Sequence, residues 1–120
     1  MAILKLDVNT QTAAANLNDW GTVGQPLSEP PCQLRGSKIV APIPNAPEIG
    51  LWECAPGAYR RQIRSAETMH IISGEATFTP DGGEPVALAA GDVYFFGPDT
   101  TGVWHIHTAL RKVYVLFNGV

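Results

Sequence analysis

The sequence predicts an all-β domain, a sandwich or small barrel of short strands, on three observations. Twelve glycines and ten prolines among 120 residues cut the chain into short pieces, and proline in a helix interior costs about 3 kcal/mol. Two of the longest stretches free of both, residues 58–73 and 103–118, carry Tyr, Ile, Val, Thr, Trp and Phe rather than strong helix formers. From Ile49 onward, turn signals recur at even, short spacing, the rhythm of a β-sandwich or barrel.

Taken in order, Met1 to Glu48 reads as irregular chain. Pro26, Pro30, Pro31, Pro42, Pro44 and Pro47 crowd its second half and favour extended loops. Within it, Thr12–Leu17 is expected to make one or two helical turns capped by Thr12, and Lys38–Ala41 a short edge strand. Such an arm offers exposed backbone to a second copy of the chain, so a homodimer is expected.

The strands then follow as Ile49–Ala55, Tyr59–Arg64, Glu67–Ile72, Glu75–Thr79, Pro85–Leu88, Val93–Phe96, Val103–His107 and Leu110–Asn118. They are separated by turns at Pro56-Gly57, Ser73-Gly74, Asp81-Gly82-Gly83 and Ala90-Gly91-Asp92 and by the loop Gly97–Gly102. The chain therefore divides into an N-terminal arm, residues 1–48, and a β domain, residues 49–120.

Composition narrows the function classes. The net charge is −3, with 45% apolar and 16% charged residues, so a phosphate-tracking surface has little to work with and nucleic acid is not an expected partner. No apolar run approaches the roughly 18 residues of a membrane helix, and the start MAILKLDVNT lacks a leader pattern. A soluble cytoplasmic protein without a membrane partner is the expectation. Cys32 and Cys54 are too few for a disulfide framework and show no CxxC spacing.

Glu67-Thr68-Met69-His70-Ile71-Ile72-Ser73-Gly74 and Gly91-Asp92-Val93-Tyr94-Phe95-Phe96 resemble the two motifs of a cupin. In that family a Glu precedes a Gly by seven positions and a Gly-Asp turn opens the second motif. Leu51-Trp52-Glu53-Cys54-Ala55-Pro56-Gly57, Gly102-Val103-Trp104 and Arg111-Lys112-Val113-Tyr114 narrow the resemblance to small single-domain, RmlC-like cupins related to (S)-ureidoglycine aminohydrolase and the ethanolamine-utilisation cupin. It covers Ile49 to Phe117 and implies a cupin double-stranded β-helix, a jelly-roll β-sandwich.

Cupins that hold a metal typically use His-x-His, a Glu four residues on, and a later His. Glu67 takes the carboxylate position, but the other alignments fall on Arg61 and Ile63, or on Ile63 and Ser65, and the second motif runs Gly97–Gly102 without histidine. Three of four ligands are absent, so no cofactor is expected. A divalent metal held by Glu67 and other ligands stays as a further reading. Period-two alternation turns His70, His105 and His107 outward.

The interior is expected to be lined instead by Trp52, Tyr59, Arg61, Glu67, Trp104, Lys112 and Tyr114. Arg61 beside Glu67 is expected to form a bidentate ion pair in place of a metal. Arg60, Arg61, Arg64, Arg111 and Lys112 are five of the eight basic residues, which points to a small anionic ligand. The aromatic residues suit stacking on a planar ligand, and the resemblance implies positions near the cavity for Trp104, Lys112 and Tyr114. Cys54 reads as a small buried residue rather than a nucleophile.

Two functions follow. One is a pocket protein with a degenerate metal site that binds a small anionic or nitrogen-rich metabolite through Trp52, Tyr59, Arg61, Trp104 and Tyr114. The other is an enzyme, which the resemblance makes a ureide-type hydrolase or isomerase, with Glu67 and Lys112 as catalytic groups.

Overall fold

Alternation of side chains across strands, set by the turn residues, builds the whole architecture. The computed structural model describes residues 3–9 and 16–117. Among these residues ten strands occur in the order β1 (Asn18–Thr22), β2 (Gln33–Ile39), β3 (Glu48–Cys54), β4 (Gly57–Arg61), β5 (Glu67–Ser73), β6 (Glu75–Pro80), β7 (Val86–Ala89), β8 (Val93–Phe96), β9 (Gly102–Ile106) and β10 (Leu110–Leu116). All pairings are antiparallel, in a six-stranded sheet ordered β1-β2-β3-β10-β5-β8 and a four-stranded sheet ordered β4-β9-β6-β7.

The eight strands expected from Ile49 onward are β3 to β10, each within a few residues of the expected limits. Gly74 and Gly91 sit at φ +92° in the turns after β5 and before β8, a region that costs glycine nothing. Asp92 fastens the second turn, accepting from the Ala89 backbone N–H at 3.2 Å and from Tyr94 Oη at 2.8 Å.

Three expectations differ from the structure. The two sheets do not close into a barrel. The segment read as an irregular arm supplies β1 and β2, and β2 pairs with β3 from Ile49 to Cys54 rather than forming a short edge strand over Lys38–Ala41. The prolines are confined to the connections, three between β1 and β2 and three between β2 and β3, so they punctuate strands instead of excluding them. Leu6 and Asp7 border a small cleft with Ser37, Ile39 and Leu51, which lays this stretch against its own sheet. The helical turns expected at Thr12–Leu17 fall largely on residues 10–15, outside the described residues.

Met69, Ile71, Phe78, Leu88, Phe96, Trp104, Ile106 and Leu110 fill the space between the sheets. Trp104 packs against Phe78 and Phe96 with ring centroids 5.1 and 5.8 Å away. Among the described residues no helix is long and apolar enough to cross a membrane.

Candidate functional site

The sandwich is asymmetric, six strands against four, and a cavity of about 380 Å³ lies on the inner face of the larger sheet. Trp20, Leu34, Lys38, Glu48, Trp52, Glu67, Lys112, Tyr114 and Leu116 line it from that sheet, and Ile63 closes it from the loop after β4. This volume falls within the usual range for small-molecule pockets.

Strand register explains why these side chains meet. Residues paired across an antiparallel ladder share a face, so Gly36, Trp52 and Lys112 form one row over β2, β3 and β10. Lys38, Gly50, Tyr114 and Met69 form the next, and Glu48, Leu116 and Glu67 the third. β10 is hydrogen-bonded to β3 on one side and β5 on the other, which fixes Lys112 in the middle of the larger sheet. The row at Gly36 also needs a missing side chain, because a Cβ there would overlap the six-membered ring of Trp20. Glycine lets β1 lay that indole across β2 as a wall of the cavity.

The deepest polar group is a triad. Glu67 Oε1 accepts from Arg61 Nη2 at 3.0 Å, and Oε2 meets Lys112 Nζ at 2.8 Å. The three side chains are 2%, 1% and 4% exposed for Arg61, Glu67 and Lys112. The expected Arg61–Glu67 pair therefore forms, but it is not bidentate. Arg61 turns Nη1 to the carbonyls of Ile63 at 3.0 Å and Thr100 at 2.7 Å, which leaves the second carboxylate oxygen to Lys112. Burial opposes ionisation of Glu67, yet Lys112 and then Arg61 outweigh it and hold its carboxyl below the usual value of 4.5. Burial pushes the Lys112 ammonium below 10.5 despite the opposing pull of Glu67.

Lys112 Nζ lies 4.3 Å from the ring centroid of Trp52 and 5.6 Å from that of Trp104, within cation–π range. At the outer end, Tyr114 Oη donates to Glu48 Oε2 at 2.8 Å and Lys38 Nζ stands 3.6 Å from Glu48 Oε1. Burial first, and then the Glu48 carboxylate, push the Tyr114 hydroxyl far above 10.

Of the residues expected in the interior, Trp52, Glu67, Lys112 and Tyr114 line the cavity. Arg61 stands behind Glu67, outside the lining. Trp104 is core, 1% exposed, and Tyr59 is half-buried against that core; neither lines the cavity. The arginine cluster disperses, since Arg60 pairs with Asp81, Arg64 with Asp99, and Arg111 with Glu53 on the sheet's other face. Trp20, Leu34, Lys38, Glu48, Ile63 and Leu116 were not foreseen. The alternation of Leu34, Gly36 and Lys38, now visible as β2, was the signal available for two of them.

The donor set does not suit a divalent metal. Both Glu67 oxygens face cations, and His70, His105 and His107 are exposed, His107 being bonded to Thr77 Oγ1 at 2.9 Å. No group of three His, Cys, Asp or Glu side chains is placed to hold a metal among the described residues.

A two-sheet jelly roll with its pocket against one sheet is a cupin architecture. Residues 46–114 match the family model of the EutQ-like cupin domain, and the chain belongs to that family. Among solved structures it is similar to a protein of unknown function from Pseudomonas syringae pv. tomato (TM-score 0.74, 21% identity), covering 83% of this chain but 43% of that one. The present chain thus spans less than half of that relative. It is also similar to the Clostridium difficile EutQ protein (TM-score 0.64, 16% identity, 78% of this chain and 75% of that one). A Rhizobium leguminosarum protein of unknown function covers 99% of this chain and 100% of its own (TM-score 0.68, 16% identity). At these identities the likeness concerns the fold. No functionally curated protein matches the chain.

Proposed function

We propose that the protein binds a small organic anion in the cavity of the six-stranded sheet, with the anionic group resting on Lys112. One observation carries this reading: the buried triad holds two cations to one carboxylate, and of the two cations Lys112 is the one that lines the cavity. An uncompensated buried charge is costly, and an anion entering the cavity neutralises it. Lys112 has three N–H donors; Glu67 takes one and the Met69 sulfur a second at 4.0 Å, so one remains for a ligand. Trp52 and Trp20 supply aromatic walls for a planar or apolar body.

The hydrolase or isomerase reading gains less. A general acid or base at neutral pH needs a pKa near 7, whereas Glu67 is held below 4.5 with both oxygens engaged. The chemistry proposed is therefore binding without a resident metal, in a cytoplasmic protein. A homodimer is proposed as well, supported by Val93 and Phe95, 65% and 66% exposed on the edge strand β8; a monomeric mass by light scattering at micromolar concentration removes that element.

The test is thermal stabilisation by a panel of small carboxylates and phosphates, run on the wild type and on Lys112→Met. A rise in Tm that the variant loses supports the reading. No rise with any anion, or an equal rise in the variant, overturns it.

A further inference from the structure

The cavity contains a second charge that the triad does not account for. Glu48 stands on the same cross-strand row as Glu67, with Leu116 between them. Two strand spacings therefore separate the carboxylates' backbones, about 9–10 Å. Both Glu67 oxygens meet a cation within hydrogen-bond distance, at 3.0 and 2.8 Å; Glu48 has a partner that close on one oxygen. Its Oε2 accepts from Tyr114, while Lys38 lies 3.6 Å from Oε1, an ion pair beyond hydrogen-bond length. The side chain is 36% exposed and lines the cavity. A carboxylate has about four lone-pair sites, so Oε1 keeps accepting capacity toward a ligand.

The surroundings favour a positive or N–H-bearing group at this end. Trp20 lines the cavity with the Lys38 ammonium 5.9 Å from its ring, whereas Trp52 belongs to the Lys112 end, 4.3 Å from that ammonium. Aromatic rings attract cations. Apart from Lys38 the remaining lining between the charged ends is apolar: Leu34, Ile63 and Leu116. A site with an ammonium at one end, a carboxylate at the other and apolar walls between them complements a ligand of opposite polarity.

We propose that the ligand is amphoteric, an amino-acid-like molecule whose carboxylate rests on Lys112 and whose basic nitrogen donates to Glu48. This rests on the anion-binding reading above and adds Glu48 as the residue that sets specificity. A dicarboxylate of equal length turns a second negative charge toward Glu48 and is disfavoured. Lys38 acts as the resident counter-ion that the ligand's nitrogen displaces from Oε1.

The test is calorimetric titration of the full chain with ω-amino acids from glycine to 6-aminohexanoate, each beside the monocarboxylate and dicarboxylate of matching length. At the best length the amino acid is expected to bind at least tenfold tighter than the monocarboxylate, with the dicarboxylate weakest. Glu48→Gln is expected to erase the amino acid's advantage and to leave the monocarboxylate binding at least as tightly as before, because a negative charge has left the cavity; thermal melts check that the variant folds. Lys38→Met is expected to preserve or increase the preference for the amino acid. Equal binding of amino acid and monocarboxylate, or tighter binding of a dicarboxylate that Lys38→Met abolishes, overturns the amphoteric ligand while the anion reading stands. Binding of none of the compounds at tens of millimolar overturns both.

Discussion

Replacing Glu67 by Gln and Lys112 by Met separates what the triad does for folding from what it does for a ligand. Glu67 shares its oxygens between two buried cations, Arg61 at 3.0 Å and Lys112 at 2.8 Å. Gln keeps the shape but loses the charge, and it turns an NH₂ toward one of two donors. Removing one partner of a buried pair costs about 3–5 kcal/mol, a fall in Tm of roughly 10–25 °C for a domain of this size. Lys112→Met behaves differently. It leaves Arg61 with Glu67, Ile63 and Thr100 and puts an unbranched apolar chain beside Met69, Trp52 and Trp104. The expected cost is within about 1 kcal/mol. The double variant is expected to lose less than Glu67→Gln alone, since one stranded cation has gone. Urea unfolding of the four proteins measures these differences. A loss in Lys112→Met as large as in Glu67→Gln refutes the reasoning, because Lys112 would then be a structural ion and not the charge offered to the cavity.

Four further outcomes are expected. Glu67 titrates below 4.5 in the folded chain, so its contribution is complete above that value and lost as pH falls through the lower folded one; urea midpoints between pH 7 and pH 3 should fall in the wild type with a component missing from Glu67→Gln. Gly36→Ala pushes the Trp20 ring off β2, and is expected to weaken anion binding about tenfold or more by calorimetry while costing about 1–3 kcal/mol of stability. Trp104→Phe, a change inside the core, is expected to cost about 1–3 kcal/mol by chemical denaturation and to leave anion affinity within threefold. Cys32 and Cys54 are 1% and 0% exposed, and burial, with Cys32 beside it, pushes the Cys54 thiol far up; both should resist an aromatic disulfide reagent until denaturant unfolds the chain.

The part of the fold governed by local punctuation was legible in the sequence. The turns at Gly57, Gly74, Gly82 and Gly91 and the alternating pattern between them placed β3 to β10; with Glu67 and Trp104 facing inward, alternation turned the three histidines outward, whereas the inward positions of Lys112 and Tyr114 rested on the resemblance. β1 and β2 were hidden for physical reasons. Asn-Asp-Trp-Gly-Thr is largely exposed and has little alternation to detect, and β2 mixes Gln, Arg, Gly, Ser and Lys with two apolar residues. Their strand character comes from pairing, β2 with β3 and β1 with β2, a tertiary effect that propensity does not carry. The arginines misled for a similar reason. Arg60 and Arg64 find carboxylates 21 and 35 residues away, at Asp81 and Asp99, so a cluster in sequence becomes separate pairs in space. Trp104 satisfied the inward parity but met Phe78 and Phe96 instead of the cavity, because parity gives the face of a sheet and not the position along it.

The cavity is assembled from two stretches of chain, of which one lies within the family match and the other precedes it. Glu67, Lys112 and Tyr114 lie within the residues that match the family model, 46–114, whereas Trp20, Leu34 and Lys38 precede it. Changes in β1 and β2 can therefore remodel one wall while the charged triad stays intact, much as a die is changed in a fixed press. Replacing residues 16–40 of this chain by the corresponding segment of a relative should alter ligand preference, while this chain's own Arg61–Glu67–Lys112 triad stays in place.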